Sequence, residues 1–336
     1  MNAHWTEGLG ALGAQLSGKD VLAFNSPAAE LCAGQDGTVI VPLTHLGLLE
    51  CSGDEAKTFL HNQLTSDINH LAPQGVQHSS WCTAKGRMVA SFLFYRSEGA
   101  YRALLSNDLV ADTHKRLQMY ILRSKVKVAD LSEQYALFGL SGTRSVVALE
   151  AAGLAVPAEA MQSAISDAVT ILRIDLQRFI IVAPSESALS VWTKLTTIAT
   201  PAGRPVWQWL DIQAGIPLIC SATREAFVPQ MADFDRIGGV SFHKGCYPGQ
   251  EIVARTQYLG KVKRHLYRLH ADTAMAPGLP IHSPDSPEHP VGMVANAAPA
   301  PTGGHVALAV IQENYLDSAL TLGTPEGIRF RVEHLA

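Results

Sequence analysis

No two cysteines of this 336-residue chain stand at C-x-x-C spacing, and the five present (Cys32, Cys51, Cys82, Cys220, Cys246) are odd in number and widely scattered. Their scatter argues against a self-contained zinc or iron–sulfur centre and against a disulfide framework, and it fits a reducing cytosol. No metal ligand set is expected. Charge is also sparse, at 17% of residues, with 26 Lys+Arg against 30 Asp+Glu and a net charge of -4. Such a balance gives no global attraction to phosphate backbones, so no direct nucleic-acid binding is expected without a local basic patch. No apolar run reaches the roughly 20 residues needed to cross a bilayer. The opening MNAHWTEGLG lacks a positive region followed by an apolar stretch. Neither a membrane partner nor a signal peptide is therefore expected, and the expected location is cytoplasmic.

What is present is a well-buried globular composition, 47% hydrophobic, over a length that implies two or three packed domains. The first ~35 residues predict a helix or two leading into a strand. TVIVPL and LGLLECSG read as short strands, and SGDEAKTFLHNQL as a helix with Phe59, Leu60 and Leu64 on one face. VQHSSWCTA and MVASFLFYR flank KGR, a hairpin signal with Gly86 in the turn. YRALLS predicts a strand. NDLVADTHKRLQMYIL predicts an amphipathic helix opened by Asn107, with Leu109, Leu117, Tyr120 and Ile121 as its apolar positions. Strands KVKVAD, YALFGLSG, VTILRID and RFIIVAP follow, with helices at SVVALEAAG and from Ser185 to about Thr200. This order predicts two α+β units with helices packed on antiparallel sheets.

PAGRPVWQWLDIQAGIP then predicts a short helix, with Pro205 in its first turn and Gly215 near its end. Beyond residue 260, short strands separated by Pro- and Ser-rich loops predict an all-β tail, a small barrel. In KVKRHLYRLH, alternation puts Lys261, Lys263, His265, Tyr267 and Leu269 on one strand face, and the expectation is a solvated face.

The stretch with most chemistry is HKGCYPGQEIVAR, residues 243–255. Gly245 and Gly249 free the backbone around Cys246, and Pro248 fixes a turn. GQEIVARTQY reads as a helix, with Glu251 and Arg255 at i, i+4. Cys246 would then stand ahead of a helix N-terminus with Lys244 beside it, conditions that lower a thiol pKa. Two other readings stay open from the residues alone. Cys246 is a small residue filling a tight turn, or it is the nucleophile of a hydrolase with His243 as base. FVPQMADFDRIGG reads as a loop beside this helix, in which Gln230 and Asp233 hydrogen-bond the motif or cap the loop.

KGCYPGQE, preceded by FVPQMADFDRIGGVSF and followed by IVAR, closely resembles the signature of the YgfZ-type folate-binding proteins, relatives of the glycine-cleavage aminomethyltransferase. The resemblance extends in order through QLTSDINHL, CTAKGRM, SKVKV and WLDIQAGIP. It implies an α+β, aminomethyltransferase-like ring of three domains, with two interleaved α+β subdomains over residues 1–255 and a small β-barrel over 256–336. It implies tetrahydrofolate, or another folate, as the cofactor, contacted by Trp207, Gln213, Tyr247, Gln250, Glu251 and Arg255. It assigns the chemistry to Cys246 and Lys244. The implied role is support of the assembly or repair of iron–sulfur enzymes, including those that modify tRNA. Iron–sulfur clients or assembly proteins would be the partners.

Three departures bear on activity. The aminomethyltransferase uses an acidic residue on an early hairpin, yet no Asp or Glu occurs between Ile68 and Ser97 here. An aromatic of the strand before CSG is replaced by Leu46, and the glutamate of the family's EAG string by Gln213. An amide carries no charge for the pterin's two donors, at a cost of about 1–2 kcal/mol if desolvated. Trp207 is either a ligand contact or core. A true folate-dependent aminomethyl transferase is the alternative function, disfavoured because nothing on the hairpin could deprotonate the amine.

Overall fold

A computed structural model describes residues 3–258, 260 and 262–335. The chain divides into two compact units interleaved along the sequence. The first comprises residues 1–57, 70–77 and 93–207, and the second 58–69, 78–92 and 208–336.

The first unit holds a six-stranded sheet, ordered Gln162–Ser166, Val169–Arg173, Arg178–Pro184, Tyr135–Gly142, Thr38–Pro42, Thr200–Pro201. All neighbours are antiparallel except the last pair. One face carries helices Ala3–Ala11, Ser145–Ala151 and Ala188–Leu195. Their apolar stripes meet Ile40, Phe138, Leu140, Phe179 and Ile181 in one core. Trp5, Phe138 and Trp192 lock it with ring centroids 5.6–5.8 Å apart, in the stacked and edge-on arrangements aromatic quadrupoles prefer. The hairpin Gln15–Ser17/Asp20–Ala23 and the strand Gln162–Ser166 were not foreseen; both are short and mostly solvent-facing. A buried carboxylate ties this unit together. Glu30 accepts from the backbone N–H of Phe24 (2.7 Å), Asn25 (2.6 Å) and Gly203 (2.8 Å).

A second sheet of this unit runs Leu93–Ser97, Ala100–Ser106, Leu46–Ser52, Lys127–Asp130. Its helix Val110–Ile121 follows a 3₁₀ turn at Asn107–Leu109, and Leu109, Thr113 and Leu117 are buried beneath it. Gly47 lets the helix close on the sheet, since a Cβ there would lie 2.3 Å from Val110 Cγ2. Tyr120, expected on the apolar face, is instead 51% exposed.

In the second unit residues 78–82 and 88–92 form a hairpin that turns at Gly86, whose φ is +70°. The C-terminal sheet has seven strands, ordered Ile328–Arg329, Thr321–Leu322, Pro280–His282, Gly292–Pro299, His305–Gln312, Arg264–Ala271, Arg331–His334. Its two margins are consecutive in the chain with only Phe330 between them, so the sheet must curl to bring them together. Tyr267, Leu269, Ala271, Ile281, Val294, Ala307, Ala309 and Ile311 fill its interior.

The strand Arg264–Ala271 corrects the expectation of a solvated face. Tyr267 and Leu269 point into that core, while Leu266 on the opposite face is also buried, and the strand packs against the 3₁₀ turn Pro229–Ala232. Lys261 lies outside the described residues. No described helix is long and apolar enough to cross a membrane.

Candidate functional site

The helix expected after the cysteine motif spans Gln250–Tyr258. Its start is held by two glycines distant in sequence. Gly249, at φ +82°, sits so close to the early hairpin that a Cβ would fall 2.4 Å from the Thr83 carbonyl oxygen and 2.7 Å from Gly86 Cα. A Cβ on Gly86 would lie 3.1 Å from Ile252 Cβ. Only glycine combines positive φ with such backbone approach. The strings CTAKGRM and YPGQE are therefore neighbours, and the hairpin braces the helix.

Lys244 anchors the other flank of Cys246. It is 8% exposed, and its ammonium donates to the carbonyl oxygens of His61 and Leu64. The helix Ala56–Gln63 leaves its last carbonyls without partners in its own turn. A cation is the favourable group at that negative end. Lys244 thus acts as a C-cap delivered from the far end of the sequence. Its Nζ lies 4.9 Å from the centroid of the Tyr247 ring, a cation–π contact. Burial brings the Lys244 pKa down to about 8, partly opposed by the carboxylate of Asp67. The positive charge that the sequence placed beside the thiol is engaged by two carbonyls and a ring.

Cys246 itself is exposed, as are His243 and Gly245. His61, which sequence reasoning missed, lies beside this segment: a Cβ on Gly245 would be 3.7 Å from its Nε2. Its Nδ1 is 3.2 Å from Asp67 Oδ1. The nearest signal in the sequence was the QLTSD string, which begins two positions beyond His61 and supplies Asp67, while its Thr65 and Ser66 prove structural. Thr65 Oγ1 donates to the Gly239 carbonyl (2.6 Å) and accepts from Ser80 N–H (2.9 Å), and Ser66 Oγ donates to Ser79 Oγ (2.7 Å). Ser241 N–H in turn donates to the Thr65 carbonyl (2.8 Å), which fixes the approach to the motif.

Among the folate candidates, Tyr247 is buried, and that burial pushes its phenol pKa up. Gln250 is half-buried, while Glu251 and Arg255 are exposed. Gln213 ends the helix Arg204–Gln213; its side chain is half-buried and its carbonyl accepts from Arg268 (2.8 Å). Trp207 is 2% exposed, packed so closely on the central strand that a Cβ at Gly139 would lie 2.2 Å from its ring, with the Arg178 guanidinium 5.9 Å from the ring centroid. Gln230, from the loop before the motif, is buried and donates to the Val253 carbonyl (2.7 Å), so it does bond the motif helix. Asp233 instead faces Arg236 (3.5 Å) and His265 (3.6 Å). Cys82 is buried, with its pKa raised to about 12 by desolvation.

A family model described as the GCVT N-terminal domain matches residues 11–203. Curated relatives include a "tRNA-modifying protein YgfZ" of Yersinia pseudotuberculosis, 32% identical over 266 residues, covering 76% of this chain and 79% of that protein. Another protein of that name, from Klebsiella pneumoniae, is 30% identical over 240 residues, covering 71% and 73%. Among solved structures, the glycine cleavage system aminomethyltransferase T of Bartonella henselae superposes with a TM-score of 0.84 at 16% identity, covering 100% of this chain and 97% of that one. At that identity the likeness is one of fold, and it gives this chain the α+β aminomethyltransferase fold.

Proposed function

The chain belongs to the YgfZ family of proteins with a GCVT N-terminal domain, and on that premise we propose that it is a folate-binding accessory protein supporting iron–sulfur enzymes. Its clients would include enzymes that modify tRNA, in line with the relatives' name, and it would act in the cytoplasm through Cys246. The observation that carries this reading is an exposed cysteine between two fixed flanks. Lys244 pins one side to a helix end, and Gly249 pins the other to the hairpin. A thiol presented this way meets a macromolecular client without rearrangement of the chain around it. It can ligate a cluster passing to the client, take up a one-carbon group released from the folate carrier nitrogen, or attack a client disulfide to form a mixed disulfide with release of the client's other thiolate.

The rival is tetrahydrofolate-dependent aminomethyl transfer. Against it stands the hairpin at Gly86, whose strands and turn contain no carboxylate between Ile68 and Ser97. For folate itself, the half-buried amide of Gln213 is a suitable partner for a pterin edge. Gln250, Glu251 and Arg255 offer polar groups at the motif helix. When bound, a folate would supply a carrier nitrogen for a one-carbon unit. Trp207, with 2% exposure, would contribute chiefly as a support of the wall rather than as an open stacking face.

The deciding experiment uses cells lacking the protein, with several iron–sulfur enzymes assayed after rescue. Wild type should restore them and Cys246→Ala should not, although the variant folds and accumulates normally. Full rescue by Cys246→Ala would remove the working thiol. Turnover of an aminomethylated carrier by the purified protein with tetrahydrofolate would establish the rival instead.

A further inference from the structure

Two arginines from distant parts of the second unit border one loop. Arg87 follows Gly86 in the hairpin, and its Nη1 donates to the carbonyl oxygen of Ala226 (2.5 Å). The adjoining backbone fixes this contact. Met88 N–H donates to the Phe227 carbonyl (2.8 Å), and Glu225 N–H donates to the Met88 carbonyl (2.8 Å). Arg264 opens the strand Arg264–Ala271, and alternation puts it on the face of Leu266, opposite Tyr267 and Leu269. That strand packs against the 3₁₀ turn Pro229–Ala232, which continues the loop that Arg87 holds. Both arginines are half-buried.

Their charges lack compensation. Among the described residues no ion pair engages Arg87 or Arg264, and the Ala226 carbonyl is the one acceptor that either guanidinium bonds. Burial, and next the Arg87 guanidinium, hold the Arg264 pKa below its ordinary value, and no described carboxylate opposes them. The acids of this region are placed otherwise. Arg264 pairs across the sheet with the neutral Gln312. Glu313, the next residue, bears on Tyr267, which lies on the other face of the strand. Asp233 and Asp235, at and beyond the end of the 3₁₀ turn, bear on Arg236 and on each other. Glu225 and Glu251 are exposed. Lys85 and Lys263, also exposed, flank the two arginines and add charge of the same sign.

Two half-buried cations within reach of each other carry a desolvation and repulsion cost that a shared anion offsets. We infer that Arg87 and Arg264 form a binding site for a phosphate dianion, free or as the terminal group of a phosphomonoester. Each guanidinium presents a planar fork that grips two oxygens, so two forks call for at least three acceptor oxygens and two negative charges. A phosphate dianion supplies both, whereas a single carboxylate or a phosphodiester supplies one charge. The same loop sends Gln230 to the Val253 carbonyl of the motif helix, and Gly86 abuts Gly249 and Ile252. An anion here would tie together the hairpin and the loop that hold that helix. The inference requires neither the Cys246 thiol nor folate, and it survives the failure of either.

Calorimetric titration of the full chain with inorganic phosphate tests it, at constant ionic strength in chloride and at about pH 8, where phosphate is dianionic. Wild type should bind saturably at one site. Arg264→Gln should weaken binding at least about tenfold, as loss of a charge-assisted contact does. Arg87→Lys, which keeps the charge and loses the fork, should weaken it several-fold. Glycerol phosphate identifies the source: tighter binding than inorganic phosphate supports a phosphomonoester, and weaker binding supports the free ion. Melting curves add a readout that an ordinary structural arginine would not give. In phosphate-free chloride Arg264→Gln should melt no lower than wild type, because it removes a repelled, desolvated charge. Phosphate should then raise the melting temperature of wild type and leave that of the variant unchanged. No saturable phosphate binding by wild type, equal binding by Arg264→Gln, or a lower melting temperature for that variant in chloride overturns the inference. Tighter binding of glutarate, a dicarboxylate of the same charge, overturns it too.

Discussion

Gly249 and Gly86 meet backbone to backbone, so close that a Cβ on the first would lie 2.7 Å from the Cα of the second. Gly249→Ala must therefore both adopt a positive φ and displace the hairpin. A loss of about 2–4 kcal/mol is expected from the two effects together. Urea unfolding measures it. A change below about 0.5 kcal/mol would show that hairpin and helix are not braced as the contact implies.

Lys244 gives a pH prediction with a definite sign. Its pKa is about 8 in the folded chain against 10.5 in its ordinary state. Between those values the unfolded chain holds the extra proton, so stability from this group rises with pH. The cost of burying the ammonium is fully present below about pH 8 and is relieved progressively up to about 10.5. Unfolding of wild type and Lys244→Met at pH 7.5 and pH 10 should show the difference moving in favour of wild type by on the order of 2 kcal/mol. A difference independent of pH would mean that the ammonium is not desolvated.

Glu30 supplies three acceptor contacts to backbone N–H groups from two distant segments. Glu30→Ala leaves those donors buried without partners and should cost about 3 kcal/mol or more. Thermal melting reads the loss. Glu30→Gln retains an acceptor oxygen and should fall between the two. An alanine variant as stable as wild type would assign the latch no weight.

Trp207 separates core from ligand duties through its neighbour Gly139. Gly139→Ala puts a methyl where the indole stands, 2.2 Å from its ring, and should lower stability by about 2–3 kcal/mol. Calorimetry with tetrahydrofolate on wild type, Trp207→Phe and Gly139→Ala then reports whether the indole also matters to the ligand. Absence of binding by wild type would remove folate from the proposed function altogether.

Much of this was legible in the residues because it is local. The turn at Gly86, the helix opened near Pro205 and the helix beginning at Gln250 each carry their own punctuation within a few positions. The partners of Lys244 were not legible, since His61 and Leu64 lie 183 and 180 positions away and no periodicity reports such a contact. A comparable separation hid the meeting of Gly86 with Gly249. Tyr267 and Leu269 looked like members of a solvated strand face because the residues that bury them, out to Leu320 and Leu322, come from other parts of the chain. Tyr120 was misplaced for the opposite reason. A helical stripe assigns it an apolar face, yet the ring is 51% exposed.

The curled C-terminal sheet has a practical corollary for anyone shortening this chain. Its outermost strands, Ile328–Arg329 and Arg331–His334, are written into the last stretch of the sequence. A stop codon at position 328 would strip both borders at once. It would bare the hydrogen-bonding rows of Thr321–Leu322 and Arg264–Ala271 together. Exposed rows of that kind recruit strands from other molecules. Trimmed protein should consequently precipitate at concentrations where the intact chain stays dispersed, and affinity handles are better fused at the opposite terminus.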